Sequence, residues 1–204
     1  KLYYIKYPIE NSENFITIAT TRPETMLGDT AVAVNPKDKR YKNLVSKNVI
    51  LPIVEKKIKI IADDYADPEQ GTGAVKITPA HDFNDYEVGI RNKLEIINIF
   101  TEDGKININA PQEYIGLDRF EARKKIISEL KNKNLFVKDE DIKNKVPYGD
   151  RSNSIIEPYL TEQWFADAKK LSNKAKKIVK SKKTNFFPTN WSKTYFQWMD
   201  NIEP

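Results

Sequence analysis

Short runs of β-branched and aromatic residues recur through the first hundred positions of the chain, and Pro, Gly, Asn or Asp separate them. Such runs predict β-strands, because these side chains suit a half-buried pleated surface. Many short strands in succession favour a barrel or a folded sheet. The predicted strands cover residues 3–7, 15–20, 30–34, 49–54, 57–62, 74–77 and 96–100.

Three further segments have the apolar spacing of amphipathic helices. Asp82 is a suitable N-cap for the first of them. The pattern therefore predicts an α/β chain, in which helices interrupt the series of strands. The predicted helices cover residues 82–93, with Tyr86, Ile90 and Leu94 at four-residue spacing, residues 117–131, with a stripe of Phe120, Ala122, Ile126, Ile127 and Leu130, and residues 166–180.

The composition excludes several kinds of chemistry. The 204 residues include no cysteine, which excludes disulfides, thiolate zinc sites and a cysteine nucleophile. The single histidine, His81, excludes a histidine-rich metal site and disfavours a Ser-His-acid triad. No apolar run approaches the roughly 18 residues that span a bilayer. We therefore expect a soluble cytoplasmic protein that works with carboxylates, hydroxyls, lysine, backbone groups and water.

The net charge of +5 arises from 34 basic and 29 acidic residues, and much of the basic excess lies late in the chain. Such a cluster is usually a solvated helix face, but it also suits contact with a phosphate backbone. Both interpretations stay open from the sequence. The cluster comprises Lys169, Lys170, Lys174, Lys176, Lys177, Lys180, Lys182 and Lys183.

Residues 20–25, Thr-Thr-Arg-Pro-Glu-Thr, have the form of a strand-to-helix turn. Pro23 suits the first position of a helix, which makes Thr21 or Arg22 the cap. Free backbone N–H groups at such a turn bind an oxyanion or a phosphate. Arg22 adds a positive charge, and the hydroxyls of Thr21 and Thr25 can bind a sugar. The alternative is a capped short helix without a ligand.

A second polar segment covers residues 71–85. Gly71 and Gly73 allow a ligand to approach the backbone closely, although their spacing matches neither a dinucleotide fingerprint nor a P-loop. Lys76 and Thr78 alternate along one predicted strand and therefore face the same side. If that side is inward, a charge and a hydroxyl are buried together and require partners.

The acidic residues near this segment have two interpretations. Asp82 and Asp85 stand three residues apart at the start of a predicted helix, where acids cap the helix and favour its dipole. The functional interpretation is a carboxylate that binds a ligand ammonium. We interpret His81 as a packing or hydrogen-bonding residue. We interpret the acids at Asp63 and Asp64 as a solvated loop, because their spacing fits no metal pattern.

The last part of the chain differs in composition from the rest. It contains all three tryptophans and several other aromatic residues, which a complete protein normally buries. Residues 146–154 are rich in turn-forming residues and predict a change in the direction of the chain. We therefore expect a domain boundary near residue 150. The sequence lacks an initiator Met. We therefore expect a piece of a longer chain.

Three blocks of the sequence, residues 19–36, 71–86 and 156–165, resemble the editing domains of valyl-tRNA synthetases, which are class I aminoacyl-tRNA synthetases. The blocks include Ala-Thr-Thr-Arg-Pro-Glu-Thr-Met-Leu-Gly-Asp-Thr, Lys-Ile-Thr-Pro-Ala-His-Asp and Glu-Pro-Tyr-Leu-Thr-Glu-Gln-Trp-Phe, in the order of the family. The leucyl and isoleucyl families lack the Lys-Ile-Thr-Pro-Ala-His-Asp run. The isoleucyl family also has no arginine at the position of Arg22.

The resemblance implies a domain inserted into a Rossmann catalytic core, with a β-barrel-like mixed sheet and flanking helices. Residues 1–150 would form the editing domain, and residues 151–204 the rest of the insertion with a return segment toward the missing core. The ATP-site motifs of class I are absent, so no ligase activity is expected here. The resemblance implies no metal and no cofactor in this piece, because ATP and Mg²⁺ belong to the catalytic domain.

The resemblance also assigns roles to single residues. Asp85 corresponds to the aspartate that binds the α-amino group of the misattached amino acid. Lys76, Thr78 and Asp82 correspond to the polar pocket that accepts the threonine hydroxyl. The resemblance implies that catalysis depends on Asp85, Lys76 and Thr21. The loop that would hold the terminal adenosine of the tRNA contains Thr20, Thr21, Arg22, Glu24 and Thr25.

The reaction that the resemblance implies is hydrolysis of mischarged threonyl-tRNA(Val) by attack of water on the aminoacyl ester. The implied partners are the acceptor end of tRNA(Val) and the catalytic core of the same synthetase. The piece is expected to be monomeric and to have no membrane partner.

An editing domain of isoleucyl or leucyl type is one alternative, which the Lys76-Ile77-Thr78 run disfavours. A noncatalytic RNA-binding module would instead predict aromatic stacking platforms and a more basic surface. An inert structural insertion would need no polar cluster.

Overall fold

A computed structural model of the chain describes residues 1–143 and 145–203. The chain forms two compact units, Lys1–Leu160 and a second unit over residues 161–203. Seven strands and four α-helices lie within the described residues. None of these helices combines the length and the apolar character that a bilayer span requires.

All seven strands and the first two α-helices lie in the first unit, and the last two α-helices lie in the second. The strands are β1 (Leu2–Pro8), β2 (Phe15–Thr20), β3 (Ala31–Val34), β4 (Asn48–Ile50), β5 (Lys57–Ala62), β6 (Ala74–Ile77) and β7 (Phe136–Glu140). The α-helices are α1 (Phe83–Asn92), α2 (Arg119–Asn132), α3 (Ala168–Lys180) and α4 (Trp191–Asp200), and short 3-10 helices cover Pro23–Gly28, Lys42–Leu44 and Gln112–Tyr114.

The strands form two open sheets rather than the predicted barrel-like sheet. One sheet has the order β2-β1-β7 and is antiparallel, and the other has the order β4-β5-β3-β6 with only β3 and β5 parallel. Strands β2 and β6 lie next to one another but belong to different sheets. The barrel prediction is therefore wrong, because this pair of neighbours forms no ladder that would close the sheets.

Strand β3 is buried on both faces, which explains its uninterrupted apolar sequence. Val32 and Val34 face the main core, which also takes side chains from β1, β2, β5 and α2. Ala31 and Ala33 face a smaller cluster together with Val88 of α1. Helix α1 therefore lies across one face of the mixed sheet.

The predicted apolar stripe of α1 is wrong at Ile90 but confirmed at Leu94, which packs against the smaller cluster. Its buried residues are Asp85, Val88 and Gly89, whereas Ile90 is half exposed. Gly89 explains this rotation, because a Cβ built on it would lie 2.8 Å from the ring carbons of Pro79. The helix thus packs its glycine, and with it Asp85, against the segment that follows β6.

The other predicted elements had mixed outcomes. Helix α2 begins after Asp118, whose carboxylate caps it, and its stripe is confirmed at Ala122, Ile126 and Leu130. The predicted strand over residues 96–100 does not form. The N–H of Ile99 instead donates to the ring of His81, a side-chain partner that replaces a strand ladder. Strand β7, which pairs with β1, was not predicted.

The second unit contains the helices α3 and α4. Helix α3 covers most of the predicted range, and Asp167 caps it through the N–H of Lys170. Phe186 and Tyr195 pack with ring centroids 5.0 Å apart. All three tryptophans are exposed in this structure, and so are most of the α3 lysines.

Candidate functional site

A cavity of about 600 Å³ opens in the first unit, where β2 lies beside β6. Both polar segments singled out in the sequence contribute to its wall. Gly71, at a left-handed φ of +57°, lies against Ala19 there. Of the predicted site residues, the wall includes Thr20, Thr21, Arg22, Thr25, Lys76, Thr78, Asp82 and Asp85, together with Tyr65 and His81.

The first wall is the turn after β2. The hydroxyl of Thr20 accepts from the N–H of Arg22 at 3.1 Å, and the hydroxyl of Thr25 donates to the carbonyl of Arg22 at 3.0 Å. Pro23 begins the 3-10 helix, and Arg22 occupies the cap position without a side-chain cap bond. Two of the predicted hydroxyls thus shape the turn itself, whereas Thr21 is half-buried on the cavity wall.

The side chain of Arg22 ties this turn to distant segments. Its Nη1 donates to the carbonyl of His81 at 2.7 Å, and its Nη2 bonds the carboxylate of Glu157. Its Nε lies 3.8 Å from a carboxylate oxygen of Glu24. Arg22 therefore connects the two polar segments to one another and to residue 157.

The structure does not bring Glu24 to the cavity wall. Glu24 is fully buried, and its two carboxylate oxygens accept from Nε and Nη2 of Arg123, both at 2.6 Å. This bidentate pair joins the 3-10 helix to α2, since Arg123 belongs to that helix. Glu24 thus lies behind the turn, and Thr20, Thr21, Arg22 and Thr25 form its cavity side.

The second wall is the end of β6. Lys76 and Thr78 face the same side, as their alternation predicted, and both are buried. Nζ of Lys76 bonds the hydroxyl of Thr78 and lies 3.1 Å from Oδ1 of Asp29. The hydroxyl of Thr78 also bonds Oδ1 of Asp29, whose Oδ2 accepts from the hydroxyl of Tyr7 at 2.7 Å. The expected partners of a buried lysine are thus present.

The third wall is the start of α1. Asp82 caps the helix as predicted, and its Oδ1 accepts from the N–H groups of Asn84 at 2.8 Å and Asp85 at 3.2 Å. Asp85 is buried, and its Oδ2 accepts from the N–H of Thr78 at 2.8 Å. This hydrogen bond fixes Asp85 beside the polar pair of β6 while the carboxylate keeps acceptor capacity for a ligand.

Burial sets the electrostatics of the site. It raises the pKa of Asp85 to about 6, although the nearby charge of Lys76 and the N–H of Thr78 oppose that rise. Burial also raises the pKa of Asp29, against the opposing effect of Lys76. Burial raises the pKa of Tyr65 to about 12, and the charges of Asp85 and Asp82 add to this rise. Perturbed carboxyl groups in a cavity are typical of functional sites.

His81 is a structural residue at the floor of the cavity, which confirms the packing interpretation. Its Nε2 accepts from the N–H of Ile99 at 3.0 Å, and its ring packs on Phe100 with centroids 4.6 Å apart. Burial lowers its pKa to about 3, and the charges of Arg22 and Lys76 lower it further. His81 is therefore neutral at pH 7.

The prediction of a solvated acidic loop is wrong at Asp63. Instead of being solvated, Asp63 is buried and accepts from Nε of Arg91 at 2.8 Å and from Nη2 of Arg91 at 2.6 Å. The hydrogen bonds with Arg91 lower the pKa of Asp63 to about 2. Asp64 is exposed, as predicted. Within residues 1–143 and 145–203, no group of three or more His, Asp or Glu side chains is placed to hold a metal ion.

The sequence reasoning missed two residues that do not line the cavity but form hydrogen bonds with side chains that do. Asp29 stands two residues before β3, a strand without polar residues, and the buried Lys76 on the neighbouring strand β6 needs a carboxylate, so this partner could have been inferred. Glu157 lies inside a block that carried the family resemblance, but its partner Arg22 is 135 positions away. No local pattern identifies such a pair.

Comparison with known sequences gives a family. Residues 14–204 match the family described as tRNA synthetases class I (I, L, M and V). The chain is 81% identical to the valine--tRNA ligase of Pelagibacter ubique (strain HTCC1062) over 204 residues, which are 100% of this chain and 23% of that protein. The chain thus spans less than a quarter of the length of this curated relative.

Comparison with solved structures gives a similar fold. A crystal structure of GlLeuRS-CP1 matches with a TM-score of 0.53 and 15% identity, over 72% of this chain and 100% of that chain. The LeuRS of Agrobacterium radiobacter K84 agnB2, in a ternary complex with tRNA and LeuAMS, matches with a TM-score of 0.53 and 20% identity, over 64% of this chain and 19% of that chain. With a family match over residues 14–204, the chain belongs to the class I tRNA synthetases of the I, L, M and V group.

Proposed function

We propose that this chain acts as the hydrolytic proofreading domain of a valyl-tRNA synthetase and deacylates threonyl-tRNA(Val). The observation that carries this proposal is the cavity, in which the carboxylate of Asp85 lies beside the buried Lys76–Thr78 pair. The identity of 81% to a valine--tRNA ligase supports the choice of valine. The fold shared with a LeuRS that was solved with tRNA supports tRNA as the partner.

A proofreading site for valine must recognise threonine by its hydroxyl. Valyl-tRNA synthetases are themselves the known case, in which the apolar activation pocket rejects threonine only about a hundredfold. In the proposed site, Lys76 and Thr78 bind the threonine hydroxyl, with Asp82 at the edge of the pocket. A valyl group would leave these groups unpaired at a cost of about 1–3 kcal/mol for each. Valyl-tRNA would therefore be spared.

The amino group of the ester fixes the position of the substrate. Its ammonium binds Asp85, which is ionised at pH 7 because its pKa is about 6. The terminal adenosine lies along the turn at Thr20, Thr21, Arg22 and Thr25, where Thr21 offers its hydroxyl to the ribose. Glu24 contributes by holding the turn in place through Arg123.

The reaction is attack of water on the ester carbonyl carbon. A new bond forms from the water oxygen to that carbon, the bond from the carbon to the ribose oxygen breaks, and this oxygen takes a proton from the attacking water. The products are threonine and tRNA(Val). The N–H groups of the turn are the donors for the oxyanion, because the remaining N–H of Lys76 binds the threonine hydroxyl. The ribose hydroxyl beside the ester assists the proton transfer, so the catalysis is partly substrate-driven.

The remaining parts of the proposal concern the longer protein. The catalytic core of the same synthetase is the second partner, and it is this core that uses ATP and Mg²⁺. Proofreading itself takes place in residues 1–150, requires no cofactor and is expected in the cytoplasm, where charged tRNA is used. Residues 151–204 complete the insertion and lead back toward the core, and the piece itself is monomeric.

The test is hydrolysis of threonyl-tRNA(Val) and valyl-tRNA(Val) by the full synthetase that carries this sequence and by its Asp85→Ala variant. Asp64→Ala, which removes an exposed acid of the same unit, is the matched control. We expect rapid loss of the threonyl ester alone, abolished only by Asp85→Ala. Unchanged deacylation by Asp85→Ala would contradict the role of Asp85. Faster hydrolysis of valyl-tRNA(Ile) or of isoleucyl-tRNA(Leu) would favour the isoleucyl or leucyl alternative.

A further inference from the structure

Asp29 lies behind the proposed hydroxyl pocket and has no exposed surface. Its Oδ2 accepts from the hydroxyl of Tyr7 at 2.7 Å. Its Oδ1 bonds both Nζ of Lys76, at 3.1 Å, and the hydroxyl of Thr78. Lys76 and Thr78 line the cavity, whereas Asp29, which bonds both of them, does not.

The position of Asp29 follows from the register of the sheet. Strands β3 and β6 are antiparallel, with Ala31 opposite Ile77 and Val32 opposite Lys76. The N–H of Thr30 continues the ladder to the carbonyl of Ile77. The residue before Thr30 therefore comes next to the end of β6, where Thr78 stands. Asp29 ends the 3-10 helix Pro23–Gly28 and stands two residues before the central strand β3, so both elements fix its backbone.

Stability alone is a weak reason for such a group. A buried ion pair gives little net stabilisation, because desolvation of the two charges offsets their attraction. Asp29 and the side chain of Lys76 are 0% and 8% exposed, so both have lost nearly all of their water. A pair of this kind is better explained by the geometry that it imposes on its neighbours.

That geometry gives the hydroxyl of Thr78 a fixed direction. A carboxylate only accepts hydrogen bonds, and an ammonium only donates them. A hydroxyl bonded to both must therefore donate its proton to Asp29 and accept from Lys76. Among the described residues, one lone pair of Thr78 and the third N–H of Lys76 have no further partner. The pair thus presents one acceptor and one donor to the cavity.

We propose that Asp29 is a specificity-determining positioning residue, which orients Lys76 and Thr78 so that the pocket matches a hydroxyl. A hydroxyl donates and accepts at a single atom, as this donor and acceptor require, whereas a methyl group does neither. The pocket therefore selects a β-hydroxy amino acid over its methyl isostere. This inference rests on the proposed proofreading function and names the residue that sets its selectivity.

The test compares threonyl-tRNA(Val) with valyl-tRNA(Val) as substrates of the full synthetase and of its Asp29→Asn variant. Asparagine keeps the size of Asp29 but offers an amide donor, so the direction of the Thr78 hydroxyl is no longer imposed. We expect the ratio of kcat/KM for the two esters to fall about 10- to 100-fold. The loss should lie in the threonyl ester, with the slow valyl rate within about threefold of the wild-type value.

Asp63→Asn is the matched control, because it removes another buried, ion-paired carboxylate of the same unit. General damage to the fold would lower both rates together and leave their ratio in place, as we expect for Asp63→Asn. If Asp29→Asn does not fold, Asp29→Glu is the second variant. Its longer side chain displaces the carboxylate and should lower the ratio as well.

The outcomes separate the inference from the proposed function. A wild-type protein that hydrolyses neither ester, or both equally, would overturn the proofreading function and this inference with it. A selective wild type whose folded Asp29 variant keeps the full ratio would overturn only the role of Asp29. A selective wild type whose Asp29 variant loses the ratio supports both.

Discussion

Glu157 holds the guanidinium of Arg22 without itself lining the cavity. One carboxylate oxygen of Glu157 bonds Nη2 of Arg22, and the other lies 3.0 Å from Nε of Arg119. Burial raises the pKa of Glu157, and the charges of the two arginines oppose this rise. The guanidinium of Arg22 therefore has a fixed orientation, in which it also holds the carbonyl of His81.

Replacement of Glu157 should impair the site without touching its wall. We expect Glu157→Gln to lower kcat/KM for threonyl-tRNA(Val) about tenfold, mainly through KM, because Arg22 loses a charged partner and the turn becomes less ordered. Deacylation kinetics would measure this. Glu121→Gln, at an exposed position of α2, is the control. In an Arg22→Ala background the change should have no further effect, and an additive loss would contradict a role through Arg22.

Asp85 should limit the stability of the domain at neutral pH. A carboxyl group whose folded pKa is raised from 3.8 to about 6 stabilises the fold below pH 3.8, and this contribution is lost as the pH rises through about 6. Asp85→Asn should therefore raise the free energy of unfolding at pH 7 by up to about 3 kcal/mol, while deacylation is lost. Urea titrations at pH 7 and pH 4 measure the difference, with exposed Asp64→Asn as the control. A destabilised Asp85→Asn would contradict this prediction.

Deacylation should depend on pH through the same group. The substrate ammonium needs an ionised Asp85, so kcat/KM should fall as the pH decreases through about 6. At pH 5 about a tenth of the plateau value should remain, since about a tenth of the carboxyl groups are then ionised. A pH profile of the enzyme-dependent rate between pH 4.5 and 8 checks this. A profile that stays flat down to pH 5 would show that Asp85 does not bind the ammonium.

The glycine of α1 should be sensitive to a single added carbon. A Cβ at Gly89 would lie 2.8 Å from Cβ and Cγ of Pro79, so Gly89→Ala has to push α1 away from the segment that carries Thr78. We expect a loss of about 1–3 kcal/mol in stability. We also expect deacylation to fall at least tenfold, because Asp85 lies on the same helix. The exposed Glu87→Ala is the control, and equal kinetics for the two variants would refute the argument.

Glu24 and Arg123 should matter for stability rather than for binding of the adenosine. Removal of Arg123 leaves a fully buried carboxylate without its bidentate partner, so Arg123→Ala should cost about 3–5 kcal/mol. The double variant Glu24→Gln/Arg123→Met should recover most of this loss, because it buries no uncompensated charge. Urea denaturation measures both effects. If the double variant is folded but has a raised KM, Glu24 contacts the substrate after all.

Part of this site could be predicted from local sequence alone. The alternation of Lys76 and Thr78 and the capping position of Asp82 both follow from residues a few positions apart, and both are confirmed. The rotation of α1 could not be predicted in this way, because the contact between Gly89 and Pro79 outweighs the four-residue spacing of Ile90. The strand predicted at residues 96–100 does not form for a similar reason, because the ring of His81 accepts the hydrogen bond from the N–H of Ile99.

The sequence by itself determined most of the strands and helices, the cap of α1 at Asp82, and the two polar segments that form the cavity. These features depend on side-chain shape, period and turn chemistry within a few residues. The tertiary structure decided that the sheets stay open between β2 and β6, that Asp29 is the partner of Lys76, and that Glu157 is the partner of Arg22. Buried charges take whichever opposite charge the fold brings within reach, and that proximity arises only when distant segments pack together.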